Sequence, residues 1–203
     1  VYVQGKGQNL SIVDGDGNIY ETVGGKNSEL SNIKKLVAST TARYALSNDG
    51  KLYAKGGTLT GMWGSQTQKN SYIQVTKDGT TPFDNVKDIF ATNTLATGHA
   101  ASAIFITEDN KIYWAGSDGV TGLPGVKGDE YAPGMGEITN YPKEASSEML
   151  DKIKDKIVDI DYQYINSGGI QGNNALILTQ DGKVYTYSDG KAATVTCGLN
   201  KTL

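Results

Sequence analysis

One ten-residue phrase recurs four times along the 203-residue chain, and it constrains the fold more than any other feature. The first copy is Ser11-Ile12-Val13-Asp14-Gly15-Asp16-Gly17-Asn18-Ile19-Tyr20. The second is Tyr44-Ala45-Leu46-Ser47-Asn48-Asp49-Gly50-Lys51-Leu52-Tyr53. Ile104-Phe105-Ile106-Thr107-Glu108-Asp109-Asn110-Lys111-Ile112-Tyr113 and Leu176-Ile177-Leu178-Thr179-Gln180-Asp181-Gly182-Lys183-Val184-Tyr185 complete the set. Each is an apolar run, an Asp-Gly or Asp-Asn corner, a Lys or Asn, an aliphatic residue and a Tyr. Apolar and β-branched flanks suit strands. A two-residue type I′ turn needs positive φ at both corner residues, which Asp-Gly tolerates. The pattern therefore predicts four hairpins with two-residue corners, Tyr20, Tyr53, Tyr113 and Tyr185 being equivalent blade-packing residues. Seven of the 15 Asp residues precede Gly, so nearly half of the Asp inventory reads as turn chemistry.

A second phrase precedes three of the hairpins: Ile33-Lys34-Lys35-Leu36, Val86-Lys87-Asp88-Ile89 and Ile157-Val158-Asp159-Ile160. Its aliphatic pair at i and i+3 suits a short strand entering a core. Gly-rich phrases, Gly61-Met62-Trp63-Gly64 and Gly122-Leu123-Pro124-Gly125, follow two hairpins. Aliphatic-x-x-aliphatic, an apolar strand, Asp-Gly-x-aliphatic-Tyr and a Gly-x-x-Gly close together resemble the regulator of chromosome condensation repeat. The third copy carries the resemblance furthest, from His99 through Tyr113 and Trp114-Ala115-Gly116 to Gly125. His99 falls near a position where that family often has a His. The first copy lacks the Trp-Gly step, and the fourth continues as Thr186-Tyr187-Ser188.

The resemblance implies a β-propeller, commonly of seven blades, each a four-stranded antiparallel meander. The expected fold is thus all-β: a partial or small propeller over residues 1–203 as one repeat domain. An insertion of about residues 117–156 separates the third and fourth copies. Its Gly- and Pro-rich first half reads as loop. In its second half Met149, Leu150, Ile153 and Ile157 share one helical face, which predicts a helix between Ser146 and Ile157. A seven-bladed ring needs about twice this length, so the ring is expected to be completed by further sequence or another chain rather than to close on itself near the lower limit of about four blades. Open sheet edges then invite pairing, since the terminal segments, Val1 to Gln4 and Thr194 to Leu203, offer little cover and Val1-Tyr2-Val3 and Ala193-Thr194-Val195-Thr196 themselves read as short strands.

Few chemistries remain open. Net charge is −3 and Arg43 is the single arginine, which leaves no basic footprint for nucleic acid. One His and one Cys, His99 and Cys197, cannot supply a His/Cys zinc site or an internal disulfide framework. Asp14 opens a calcium-like run, but an EF-hand needs Gly at its sixth position and Glu at its twelfth, where Ile19 and Gly25 stand. No nucleotide-binding or nucleophile motif is legible, and no cofactor, metal or catalytic residue is expected. No run of 18 apolar residues marks a membrane helix. Beginning at Val1 with no basic-then-apolar leader, the chain reads as a mature or trimmed segment.

Six aromatics lie off the repeat register and are the candidates for an exposed recognition surface: Trp63, Tyr72, Tyr131, Tyr141, Tyr162 and Tyr164. The Gly-, Tyr-, Thr- and Asn-rich, nearly Cys-free composition points to a secreted or cell-surface bacterial protein. The leading functional expectation is a non-catalytic protein-binding or surface-assembly module, with a protein partner or self-association through open blade edges. A structural subunit of a pilus-like or adhesin assembly is the alternative. A carbohydrate-active enzyme or lectin using the propeller face is the third.

Overall fold

Each repeat phrase forms a hairpin of its own antiparallel sheet, central in the first three. The computed structural model describes residues 2–6, 9–21, 25–38, 42–56, 69–91, 103–116, 130–132, 136–139, 141–167 and 170–188. The first blade holds β1 (Tyr2–Lys6), β2 (Asn9–Val13), β3 (Ile19–Glu21) and β4 (Gly25–Asn27). The second holds β5 (Ile33–Ala38), β6 (Ala42–Ser47), β7 (Leu52–Gly56) and β8 (Lys69–Gln74). The third begins with β9 (Val86–Ala91), β10 (Ala103–Thr107) and β11 (Ile112–Ala115). A separate hairpin of β12 (Glu130–Ala132) and β13 (Gly136–Ile138) follows, and then β14 (Lys143–Glu144) closes the third blade beside β11. Helix α1 (Glu148–Ile153) and a 3-10 turn lead to the fourth blade: β15 (Ile157–Ser167), β16 (Ile170–Thr179) and β17 (Val184–Ser188). Within every blade, spatial order follows chain order. The fold is the expected all-β partial propeller with one short helix.

The corners differ from the two-residue expectation. In the second blade Ser47 N–H donates to the Lys51 carbonyl at 3.0 Å, and Gly50 N–H to the Ser47 carbonyl at 3.1 Å. The same pair of bonds recurs from Asp14, Thr107 and Thr179. This is a three-residue loop, a type I turn followed by one left-handed residue. Positive φ therefore falls on one residue per corner: Gly17 (78°), Gly50 (77°), Asn110 (60°) and Gly182 (75°). The Asp beside it keeps negative φ and uses its carboxylate instead, holding the Ser47, Thr107 or Thr179 hydroxyl. Asn stands in for Gly at 110 because its short polar side chain tolerates the left-handed region.

The aliphatic i, i+3 pairs share a face although strand side chains alternate with period two. A bulge resolves the conflict: the register slips between Ile33 and Lys35 and again between Ile157 and Asp159. Ile33 and Leu36 are both 1% exposed and enter one core. The third blade makes the same slip, Val86 pairing with Thr107 and Asp88 with Ile106 so that Lys87 is the extra residue, and Val86 and Ile89 share a core.

Every blade is two-sided. One core joins the first and second blades through Val13 and Ile19 on one side and Ile33, Leu36, Ala45 and Tyr53 on the other. A second joins Tyr44, Leu46 and Leu52 to Val86, Ile89, Phe105 and Tyr113. A third joins Ile104, Ile106, Ile112 and Trp114 to Ile157, Ile160, Ile177 and Tyr185. The repeat Tyr thus faces the preceding blade, and the aliphatic residue before it faces the following one. Tyr20 departs from the uniform packing expected: it is 39% exposed.

The insertion also departs from expectation. Part of its first half is the β12–β13 hairpin, and the whole segment to residue 142 lies between the third and fourth strands of one blade. Ser147 caps α1 by accepting from Leu150 N–H at 3.2 Å. The helix ends at Ile153, and Ile157 starts β15. Leu150, Ile153 and Ile157 nevertheless all enter the third core. Among the described residues, no helix is long and apolar enough to cross a membrane.

Corner glycines are unequal. A Cβ on Gly17 would stand 2.7 Å from the Ile33 backbone nitrogen, one on Gly50 would lie 3.4 Å from the next blade, and one on Gly182 would meet nothing within 4 Å. Gly182→Ala should cost about 1 kcal/mol, the strain of a left-handed alanine, and Gly182→Asn less. Gly17→Ala should cost clearly more, because the Asn32–Ile33 backbone must retreat. Urea unfolding of the three variants checks this order; equal losses at 17 and 182 would contradict it.

Candidate binding surface

The repeat carboxylates are consumed locally. Asn18 donates to Asp14 through its backbone and side-chain amides, and these bonds hold the Asp14 carboxyl below its ordinary value. Lys51 and Ser47 do the same for Asp49, and Thr107 for Asp109. Thr179 and Lys183 hold Asp181 down to about 2. Asp78 is held low by the Thr81 and Thr80 backbone N–H groups of its own turn. Among the described residues, no three His, Cys, Asp or Glu side chains gather as metal ligands.

Ionic contacts bridge blades instead. Arg43 of β6 and Lys55 of β7 both reach Glu21 of β3, the lysine at 3.4 Å. Lys35 of β5 reaches Asp88 of β9 at 2.7 Å, with its ammonium 4.3 Å over the Phe90 ring. The five side chains are 14% to 32% exposed, and these pairs favour one relative placement of neighbouring blades.

The aromatic candidates scatter. Tyr72 is not an exposed recognition residue: it is 8% exposed and sits in the core between the first two blades. Its ring lies under the Lys55 ammonium at 4.4 Å, and burial pushes its hydroxyl pKa up. Tyr72 of β8, the outer strand of the second blade, is covered by the core shared with the first blade, a relation that no local spacing encodes. Tyr141 is half-buried, with its hydroxyl beside Gly79 of the Thr76–Pro82 turn. Tyr131 lies in β12 opposite Glu137. Tyr162 and Tyr164 lie in β15 opposite Ala175 and Asn173. Trp63, His99 and Cys197 fall outside the described residues.

The exposed large hydrophobic residues are others: Tyr20 at 39%, Val158 at 47%, Leu176 at 42% and Leu178 at 38%. Three of them lie inside the repeat phrases. Only their being in the first or last copy distinguishes them from buried equivalents, and that order was the signal available in the sequence.

The depressed Asp pKa values set an acid limb for stability. A carboxylate held low in the folded state stabilises it above the unfolded pKa and loses that contribution as pH falls through the folded one. Melting temperature should therefore fall as pH drops from about 4, the unfolded Asp value, towards about 2, where Asp181 titrates. Thr179→Val should flatten that limb; an acid limb identical to wild type would remove Asp181 from the account.

No family model matches the chain, and no curated protein matches it. Solved structures do. Yeast RCC1 (Prp20), in a structure bound to Kap60, superposes with a TM-score of 0.61 at 14% identity, over 95% of this chain and 44% of that one. Prp20p from Saccharomyces cerevisiae, in a second structure, gives 0.59 at 12% identity, over 94% and 45%. Human WBSCR16 gives 0.55 at 16%, over 95% and 48%. The chain spans less than half the length of each. Blades, repeat register and these superpositions agree that the chain has the β-propeller fold of the RCC1-type repeat proteins.

Proposed function

We propose that the chain is a non-catalytic protein-binding or surface-assembly module of a secreted or cell-surface bacterial protein. The observation that carries this reading is the commitment of the repeat carboxylates to their own corners. What varies between copies is the connecting segments, above all the insertion that interrupts the third blade, and long connections on a rigid scaffold are common sites of recognition. Protein binding also suits the fold: yeast Prp20 was solved bound to Kap60 and, in its second structure, studied for binding to Gsp1p and histones. The composition, with 26 Gly, 12 Tyr and one Cys, supports the extracellular address. Strand pairing on an open blade edge is one docking mode, since β17 has no neighbour on its far side among the described residues.

A variant with the β12–β13 hairpin replaced by a Gly-Ser linker tests the reading. The wild-type chain should capture a discrete set of proteins from the surface fraction of its source cells. The variant should lose that set while keeping its melting temperature. Capture of nothing by the wild type, an unchanged set with the variant, or turnover of a glycan by the purified chain would count against it.

A further inference from the structure

The first ladder of the fourth blade outruns those of the two blades before it. Ile33, Val86 and Ile157 hold the same repeat position, so Ala38, Ala91 and Tyr162 are equivalent further along. The ladder of the second blade ends at Ala38 opposite Arg43, and that of the third at Ala91 opposite Ala103. In the fourth, Tyr162 pairs with Ala175 and five more pairs follow, from Gln163 with Asn174 to Ser167 with Ile170. At roughly 3.4 Å per residue this makes a two-stranded arm of about 17 Å. Strand β17 reaches only its first pair, Ser188 lying opposite Asn174.

The arm is rooted in packed core. Ile160 and Ile177 pair with each other and are 4% and 0% exposed, and Ala175 is 1% exposed. All three belong to the core shared with the third blade. Paired residues of an antiparallel ladder share a face, and faces alternate along each strand. The face holding Ile160, Ile177 and Ala175 therefore continues along the arm through Tyr162, Tyr164, Asn166, Gln171 and Asn173. It extends a face packed on a blade within the chain, so it is independent of whatever adjoins the fourth blade on its other side. Ile165 and Ile170 stand on the opposite face.

The chemistry at these register positions is narrow. They carry two phenols and three carboxamides, and no charged residue stands between Tyr162 and Gln180. Anionic ligands are held by Lys or Arg, and an apolar partner calls for the aliphatic residues, which lie on the other face. A carboxamide offers both donors and an acceptor, the complement of a sugar hydroxyl, which also does both. The negative π-face of an aromatic ring suits the polarised C–H groups of a sugar ring.

We infer that this face of the β15–β16 arm binds a neutral polysaccharide. Tyr162 and Tyr164 supply the stacking surface, and Asn166, Gln171 and Asn173 exchange hydrogen bonds with hydroxyls. The event is binding alone, with no bond cleaved. It adds a second class of ligand to the protein binding proposed for the insertion and stands without it.

Native affinity electrophoresis of the chain in gels holding dextran, mannan or hydroxyethylcellulose tests the inference, with alginate as the anionic comparison. At least one neutral polymer should retard the chain, and alginate should not. Tyr164→Ser and Asn173→Ser should each weaken that binding at least tenfold, and Gln163→Ser, on the opposite face, less than twofold. Replacing residues 163–174 by Asn-Gly ends the ladder where the second and third blades end theirs, and should abolish retardation at an unchanged melting temperature. Where that shortened chain is unstable, the point variants decide. No retardation by any of the three neutral polymers, equal retardation by alginate, or a Tyr164→Ser variant that binds like wild type would overturn the inference. So would arm variants that lose captured proteins yet bind polymer as before, which would assign the arm to a protein partner.

Discussion

The left-handed residue at each hairpin corner is the constraint on which the stack depends. Its backbone turns the chain back and leaves its carbonyl available to the next blade, as Gly17 and Gly50 show. The incoming strand is held from its own side as well: the Asn32 and Asn85 carbonyls accept N–H groups of the hairpins that follow, Asn48 and Glu108, at 2.9 and 2.8 Å. The Lys156 carbonyl accepts from Gln180 in the equivalent place. Each bond stabilises by only about 1 kcal/mol net. Their effect is register. They bring each incoming strand against the previous corner, and the bulge then aims both of its aliphatic residues into one core.

Packing energy accrues between blades. A buried Leu or Ile side chain contributes about 1.5–3 kcal/mol, and each inter-blade core gathers several. The aromatic side of one blade meets the aliphatic side of the last. In the middle core, Phe83 lies edge-on to Tyr113 at 5.0 Å, and Tyr44 meets Phe105 at 6.0 Å. Each core joins neighbouring blades only, as in other repeat proteins, where stability is a sum of nearest-neighbour terms. Among the described residues, Tyr20 of the first blade and Leu176 and Leu178 of the fourth are correspondingly exposed.

Much of this was legible in the residues. The Asp-Gly and Asp-Asn corners located all four hairpins, because local turn chemistry has a local cause. The aliphatic pairs located the incoming strands and Met149, Leu150 and Ile153 the helix. The corner type was misread because Asp-Gly also suits a type I turn closed by a left-handed Gly; in the last three copies the Ser or Thr two residues before the Asp adds a bond to its carboxylate. The site was less legible. Tyr72 lies off the repeat register, which suggested exposure, yet its strand is covered by the neighbouring blade.

Sequence alone determined where the chain turns, which strands pair within a blade, and which residue types recur at each position, since all of these follow from contacts close along the chain. Only the tertiary structure decided which copies of a position are buried. Leu46 and Leu178 are the same residue at the same step of the same repeat, at 0% and 38% exposure. Burial in a stacked fold belongs to the neighbouring blade, and no residue carries that information in its own identity.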